Sequence, residues 1–186
     1  MEGLKKKHNC EVIVSTFHTH MFEEQYPQFE FVKPGSTVPH LYAMYDVGLF
    51  YNDDGGVNGL KNPNDFKTQT MQKMGSDILG LEYKEVRPLL PKSNVVKDDK
   101  LITIAIHGTA QSKYWNNPTG WQDVIDWLNN KGYTVKLLSK ENSNYMGNIH
   151  PTGIIKHPEG SLESVMDEMA KSKAFIGIGS GLSWLS

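Results

Sequence analysis

The feature that most constrains the fold is the continuous apolar run at residues 101–106, Leu-Ile-Thr-Ile-Ala-Ile. A strand without alternating polar residues is typical of a parallel sheet covered on both faces. Further strands are predicted at residues 133–138, 154–155 and 174–178. With two helices between them, the order strand-helix-strand-strand-helix-strand favours a doubly wound, parallel α/β sheet.

The two helices of this region are predicted from apolar spacing and from capping residues. Asn117 and Pro118 form a favourable N-cap and first-turn pair for the first helix, and Ser161 caps the second. Apolar residues then line one face of each helix: Trp121, Val124, Ile125 and Leu128 in the first, and Leu162, Val165, Met166 and Met169 in the second.

Residues 1–95 are less regular. Strands are predicted at residues 12–14 and 29–32, and residues 41–51, rich in aromatic side chains, are interpreted as strand or helix. Asn64 is expected to cap a helix over 64–79 whose rough apolar stripe includes Phe66. Two prolines and a charged run indicate an inter-domain linker: Pro88, Pro91 and residues 97–100. We therefore expect two domains, 1–95 and 96–186.

Both ends of the sequence fall inside αβ units. The lysine-rich segment 3–9 resembles the end of a helix that runs into a strand, and residues 182–186 resemble the first turn of a helix. A helix of about five residues is shorter than a stable one. We therefore expect both domains to be incomplete and the chain to be a fragment of a larger α/β protein.

The composition excludes several classes of protein. The 19 Lys and Arg residues are balanced by 21 Asp and Glu residues, which argues against bulk electrostatic binding of nucleic acid. Apolar runs are too short to span a membrane, and no apolar core follows the first lysines to make a secretory signal. The single cysteine, Cys10, excludes a disulfide framework and a cysteine-built zinc site. We expect a cytoplasmic protein.

Two segments follow strand ends, where open α/β sheets bind ligands. The first, residues 107–115, offers hydroxyls, an aromatic ring and Lys113, a point charge suited to phosphate. The second, residues 177–183, has glycines that admit a close ligand, hydroxyls on Ser180 and Ser183, and helix-opening N–H groups that suit an anion. An ordinary solvated loop and close strand–helix packing are the alternatives. Together the segments suggest a diphosphate site.

The second segment matches neither a dinucleotide-binding fingerprint nor a nucleophile elbow, because Leu182 and Ile178 stand where those motifs need glycine. Glu141, after the strand at 133–138, is a candidate contact for a ribose or sugar hydroxyl, although a solvated surface position is the alternative. His18 and His20 are spaced to share one strand face, but no further metal ligand is evident. Trp115 is interpreted mainly as packing. Lining of the donor pocket and helix-capping contacts are equally good interpretations of Tyr114 and Trp115 as a pair.

At residues 106–121 the chain resembles the bacterial autotransporter strand-loop-strand O-heptosyltransferases, relatives of the lipopolysaccharide heptosyltransferases. Further similarity covers nearly the whole chain in the same order, at residues 42–45, 62–66, 76–81 and 175–186.

The resemblance implies a GT-B fold with two Rossmann-like domains: residues 1–95 as the latter part of the acceptor-side domain and 96–186 as the first part of the nucleotide-sugar-binding domain. It implies ADP-heptose as donor and serine hydroxyls of autotransporter passenger repeats as acceptors. Lys113 would neutralise the donor diphosphate, assisted by Thr109 and Gln111. Ser180, Gly181 and Leu182 would lie at the phosphates, and a homo-oligomer is among the expected assemblies.

The family's general base is an aspartate expected upstream of residue 1, and its cysteine-rich iron site is expected beyond these residues. Asp46 and Asp77 are available carboxylates without a motif that makes either a base. No cofactor is therefore expected in this chain, and we expect it to be inactive alone. The alternatives are a GT-B transferase for another nucleotide sugar, a non-catalytic module derived from one and, less favoured, an α/β hydrolase.

Overall fold

The structure, a computed structural model, describes residues 1–65 and 67–186. It divides into two compact units, Met1–Pro91 and Lys92–Ser186. Phe66, which belongs to the predicted apolar stripe and to the similarity at residues 62–66, lies outside the described residues. Within the described residues, no helix combines the length and apolar character needed to cross a membrane.

The first unit contains little regular structure. Its elements are α1 (Glu2–His8), β1 (Ile13–Ser15), β2 (Glu30–Val32) and α2 (Met71–Ile78). β1 and β2 pair in parallel, with Ile13 opposite Glu30. The two strands predicted for this region are confirmed to within a residue at each end. The interpretation of residues 41–51 as strand or helix is wrong, because residues 41–50 form no regular element and Tyr51 belongs to an isolated antiparallel bridge with Val57. The side-chain amide of Asn62 bonds both main-chain groups of Phe50.

The predicted helix over 64–79 begins later than expected. Its N-cap is Thr70, whose hydroxyl accepts a hydrogen bond from Lys73 N at 3.1 Å, and not Asn64. The side-chain amide of Asn64 instead donates to the carboxylate of Asp77 in the last turn of α2. Asp65 forms a turn with its side chain accepting from Lys67 N. Turn chemistry therefore replaces the first part of the predicted helix.

The second unit is a parallel α/β sheet. Its elements are β3 (Asp98–Ala105), α3 (Gly120–Asn130), β4 (Thr134–Leu137), β5 (Ile155–Lys156), α4 (Leu162–Lys171), β6 (Ser172–Gly177) and α5 (Gly181–Leu185). The strands are all parallel in the order β5-β4-β3-β6, so the first strand of the unit lies inside the sheet. The predicted parallel α/β arrangement is confirmed.

The core of this unit lies between the sheet and α3. Ile104, Ile125 and Leu137 are 0% exposed, and Trp121 and Val124 pack against them. The predicted apolar stripe of α3 is therefore confirmed. Ser161 caps α4 as predicted, since its hydroxyl accepts from Ser164 N at 3.3 Å.

Two boundaries of the second unit differ from the prediction. The charged residues 98–100, expected in a linker, begin β3, because Asp98 pairs with Ser172 and Lys97 Nζ donates to Ser172 O at 2.8 Å. α3 begins at Gly120 with Thr119 at the N-cap. Asn117 is not the cap, because its side chain accepts from Thr119 N and closes a turn ahead of the helix.

Candidate functional site

The two segments expected to bind a ligand leave the sheet at the same edge. β3 and β6 are parallel neighbours, with Ala105 opposite Gly177, and Ile178 N continues the pairing by donating to Ala105 O at 3.1 Å. Residues 107–115 and 177–183 therefore both follow carboxyl ends of adjoining strands. This is the position at which open α/β sheets bind ligands.

The first segment is held by Tyr114, which is buried. Its hydroxyl accepts from Gly108 N at 3.2 Å and donates to Gly108 O at 2.9 Å, which closes the loop on itself. A short 3-10 turn, Gln111–Lys113, lies inside this closure. Thr109, Gln111 and Lys113 are exposed, so their polar ends face solvent from a fixed backbone.

The two segments meet at Gly108. A Cβ built at this residue would lie 3.3 Å from Ile178 Cδ1 and 3.6 Å from Lys113 Cδ. Ile178 is the first residue after β6 and is buried. The stem of Lys113 therefore lies beside the start of the glycine-rich turn, and the absence of a side chain at position 108 permits this close approach.

In the glycine-rich turn, the two serines have different surroundings. Ser183 Oγ accepts from Ser180 N at 2.9 Å and donates to Ser180 O at 2.7 Å, so its proton is engaged. Ser180 Oγ is buried at the N-cap of α5, where it faces the N–H of Ser183 in a capping box, and its hydroxyl proton has no acceptor among the described residues. Gly181 and Leu182 open α5, where main-chain N–H groups lack intrahelical acceptors. Unpaired donors at this turn suit an anionic ligand.

Of the two aromatic residues in the first segment, Tyr114 ties the loop, as described, and Trp115 packs. The Trp115 and Trp121 rings meet edge to face, with centroids 5.4 Å apart. Trp115 also covers Gly120, where an added Cβ would lie 2.7 Å from its ring. These contacts favour the packing interpretation of Trp115, whereas Tyr114 closes its own loop through hydrogen bonds.

Glu141 lies beyond the end of β4, the other neighbour of β3. It is half-buried, its N–H donates to Ser139 Oγ at 3.0 Å, and Lys156 Nζ donates to its main-chain oxygen at 2.9 Å. Both contacts use the backbone of Glu141.

A histidine pair lies at the same strand ends. The His107 and His150 rings have centroids 5.2 Å apart, and His107 Nδ1 lies 2.7 Å from Ser139 Oγ. Burial, followed by the charge of His150, lowers the pKa of His107, against an opposing effect of Glu141. Neither His107 nor His150 was predicted as a site residue from the sequence. A histidine directly after a buried strand was the available signal for the first; position 150, in a polar loop, carried none.

No group of three or more His, Cys, Asp or Glu side chains is placed to hold a metal within residues 1–65 and 67–186. His18 and His20 do not share a strand face as their spacing suggested, because residues Thr19–Met21 form a 3-10 turn. The Cys10 thiol lies 4.0 Å from Leu4 O. These residues do not fit an iron centre.

This sheet, with a lysine loop and a glycine-rich turn at adjoining strand ends, has the geometry of an α/β domain for a phosphate-bearing ligand. No family model matches the chain. Comparison with individual proteins places its similarity among glycosyltransferases.

Over its whole length the chain is 32% identical to autotransporter heptosyltransferase TibC of Escherichia coli O78:H11 and 30% identical to autotransporter heptosyltransferase Aah of Escherichia coli. It covers 47% and 48% of these proteins, so the chain spans about half the length of the curated relatives it matches. The resemblance to autotransporter heptosyltransferases is confirmed.

Two solved structures are similar over 99% of the chain, each with a TM-score of 0.85. One is the iron-containing dodecameric glycosyltransferase TibC of enterotoxigenic E. coli H10407, at 29% identity. The other is the dodecameric heptosyltransferase TibC in complex with ADP-D-β-D-heptose, at 30% identity. The chain covers 49% and 50% of these two chains.

Proposed function

We propose that this chain is part of a GT-B glycosyltransferase that moves heptose from ADP-heptose to serine hydroxyls of autotransporter passenger repeats. Residues 1–95 then belong to the acceptor-side domain and 96–186 to the nucleotide-sugar-binding domain. Similarity over the whole chain to autotransporter heptosyltransferases, one of them solved with ADP-D-β-D-heptose, supports this assignment. The proposal includes a cytoplasmic location and, from the dodecameric relative, a homo-oligomer.

The observation that carries the proposal is the meeting of Lys113 and the glycine-rich turn at Gly108. Departure of a nucleoside diphosphate leaves negative charge on the phosphates, and preorganised cations and N–H groups stabilise it. Lys113 supplies the cation, with Thr109 and Gln111 beside it. Gly181 and Leu182 supply main-chain N–H groups, and Ser180 supplies a hydroxyl proton that has no acceptor among the described residues. Ser183 contributes by holding the turn, since its own proton is engaged.

Glu141 is proposed to accept hydrogen bonds from hydroxyls of the ribose or the sugar. Its two recorded hydrogen bonds are made by its backbone, so they do not occupy the carboxylate. Its place at the end of β4 puts it beyond the strand next to the lysine loop. A carboxylate acceptor there complements the phosphate-binding donors that follow β3 and β6.

Acceptor activation needs a general base with a pKa near the working pH. Hydrogen bonding by Lys73 and Asn64 holds the pKa of Asp77 below its ordinary value, which makes Asp77 a weak base. As the resemblance implies, we place the base among residues outside this sequence, together with the iron site, and propose that the 186-residue chain binds donor without transferring heptose. Heptose on an acceptor peptide after incubation with the purified chain, detected by mass spectrometry, would contradict this.

Donor binding is tested by calorimetry with ADP-heptose, with UDP-glucose as the competing nucleotide sugar. Loss of a charged hydrogen-bond partner costs about 1.5–3 kcal/mol, so Lys113→Ala should weaken ADP-heptose binding by about 10- to 100-fold. Lys131→Ala, which removes an exposed lysine after α3, is the matched control and should bind as the unmodified chain does.

If the chain binds UDP-glucose as tightly as ADP-heptose or more tightly, the assignment of ADP-heptose as the donor is wrong. Failure of the folded chain to bind either nucleotide sugar would overturn the donor-site assignment. Folding is checked by circular dichroism for every variant.

A further inference from the structure

His107 begins the loop that carries Lys113, and its ring contacts the loop that carries Glu141. The ring faces Tyr114 in the first loop and Ser139 in the second. His107 follows Ile106, which is buried at the end of the central run of the sheet. Ser139 and Glu141 follow the neighbouring strand β4. We propose that His107 is a positioning residue of the donor site, which holds these two loops together through Ser139. The inference rests on the proposed function, because the site that His107 positions is the donor site.

On the Glu141 side, the connection runs through one hydroxyl. Ser139 Oγ accepts from Glu141 N at 3.0 Å and lies 2.7 Å from His107 Nδ1. In the tautomer with Nδ1 unprotonated, Nδ1 accepts the hydroxyl proton of Ser139, and the ring proton is on Nε2, a buried atom without a hydrogen-bond partner among the described residues. The hydroxyl is then an acceptor on one side and a donor on the other, so Glu141 is fixed relative to β3.

On the Lys113 side, the connection runs through the backbone. Gly108 follows His107 directly, and both of its main-chain polar groups bond the Tyr114 hydroxyl. Tyr114 in turn follows Lys113. A shift of His107 therefore moves the residue at which the Lys113 stem and Ile178 meet.

The surroundings of His107 favour its neutral form. Its ring faces Tyr114, Tyr145 and His150, with centroids at 6.5, 5.7 and 5.2 Å. Burial, His150 and Lys156 lower the pKa of His107, while Glu141 raises it. Burial and Lys156 also lower the pKa of His150. Both rings are therefore neutral at pH 7.

From the tautomer with Nδ1 unprotonated, protonation of His107 makes both ring nitrogens donors, so Ser139 loses the acceptor for its hydroxyl proton. It also places a positive charge beside His150 and Lys156. Nucleotide binding should therefore weaken as the pH falls through the pKa of His107. Stability falls in the same direction below about pH 6.5, because unfolded imidazoles take up protons before these buried ones do.

The test is calorimetric binding of ADP to the 186-residue chain between pH 8 and pH 5, with circular dichroism confirming the fold at each pH. His107→Gln keeps a hydrogen-bonding side chain without a titrating group. His157→Gln, at a histidine after β5 whose ring faces Ser164 and Glu168 of α4, is the matched control. Ratios between variants at one pH cancel the titration of ADP itself.

At pH 8, Ser139→Ala should weaken ADP binding by about three- to tenfold, the effect of one lost hydrogen bond. His107→Gln should weaken ADP binding at pH 8 by less than Ser139→Ala does, because glutamine keeps a hydrogen-bonding group beside Ser139. On acidification the unmodified chain and His157→Gln should lose affinity, and His107→Gln should lose less. His150→Gln should move the midpoint to higher pH, because it removes a charge that opposes protonation of His107.

ADP binding with the same pH profile in His107→Gln as in the unmodified chain would overturn the positioning role and leave the donor site intact. Absence of ADP binding at every pH by the folded chain would instead overturn the proposed function, and the positioning role with it.

Discussion

The two units of this chain obtain their order from different sources. In Lys92–Ser186 a four-stranded parallel sheet encloses fully buried side chains such as Ile104 and Leu137. In Met1–Pro91 the strands have three residues each, and large apolar side chains such as Tyr42 and Leu60 are fully exposed. In this first unit, an asparagine side chain hydrogen-bonds main-chain groups, as Asn62 does with Phe50 O and Asn58 O. In the second unit, neighbouring strands make the corresponding hydrogen bonds. The comparison indicates that regular apolar sequence patterns produce the sheet of the second unit. Local hydrogen bonds from side chains to the backbone organise the irregular segments of the first unit.

The largest effect should come from the core of the second unit. Leu137→Ala should lower the free energy of unfolding by about 2–5 kcal/mol, because it removes a fully buried side chain and leaves a cavity. Urea unfolding followed by circular dichroism measures this.

Leu60→Ala is the comparison in the first unit and should change the free energy of unfolding by less than about 0.5 kcal/mol, because the side chain is exposed. Comparable losses from the two substitutions would remove the distinction between a packed unit and a side-chain-bonded one.

A substitution in the loop at residues 107–115 of the second unit should have an intermediate effect on the free energy of unfolding. Tyr114→Phe removes the hydroxyl that bonds both main-chain groups of Gly108 and should cost about 1–3 kcal/mol in unfolding free energy. It should also weaken ADP binding, since the loop of Lys113 is no longer closed. Tyr133→Phe is the matched control, because its hydroxyl makes a long contact of 3.4 Å with Lys173 at the surface. If Tyr114→Phe changes neither the free energy of unfolding nor the affinity for ADP, packing alone closes the loop.

The smallest effects on the free energy of unfolding should come from substitution of the helix-capping residues, one in each unit. Thr70 caps α2 and Ser161 caps α4 through equivalent hydrogen bonds of 3.1 and 3.3 Å. Alanine at either position should cost about 1 kcal/mol in unfolding free energy. Because capping is local, similar losses are expected despite the different packing of the two units. A much larger loss at one cap would show that its unit depends on that helix more than the contacts indicate.

The same contrast explains how much of the fold could be predicted. The strand at residues 101–106 and the stripe from Trp121 to Leu128 are set by apolar periodicity, and the structure confirms both. The helix start at Asn64 and the cap at Asn117 failed because an asparagine side chain serves turns and distant partners as readily as caps.

The candidate site was predicted in part. Strand ends and residue chemistry indicated Lys113 and the glycine-rich turn, and the structure brings these segments together at Gly108. The roles of their residues remain predictions. The histidine pair was missed because His107 and His150 are more than forty residues apart, and no local pattern indicates that the fold brings them together.

The position of β3 between β4 and β6 has a consequence for synthesis of the protein. Ile102 pairs with Val135 on one side and with Ala174, about seventy residues later, on the other. At translation rates of 5–20 residues per second, β3 waits roughly 4–14 s for its second neighbour. During that interval one edge of an apolar strand is unpaired, and unpaired apolar edges promote aggregation. The nascent chain is therefore most in need of a chaperone between the emergence of β4 and that of β6.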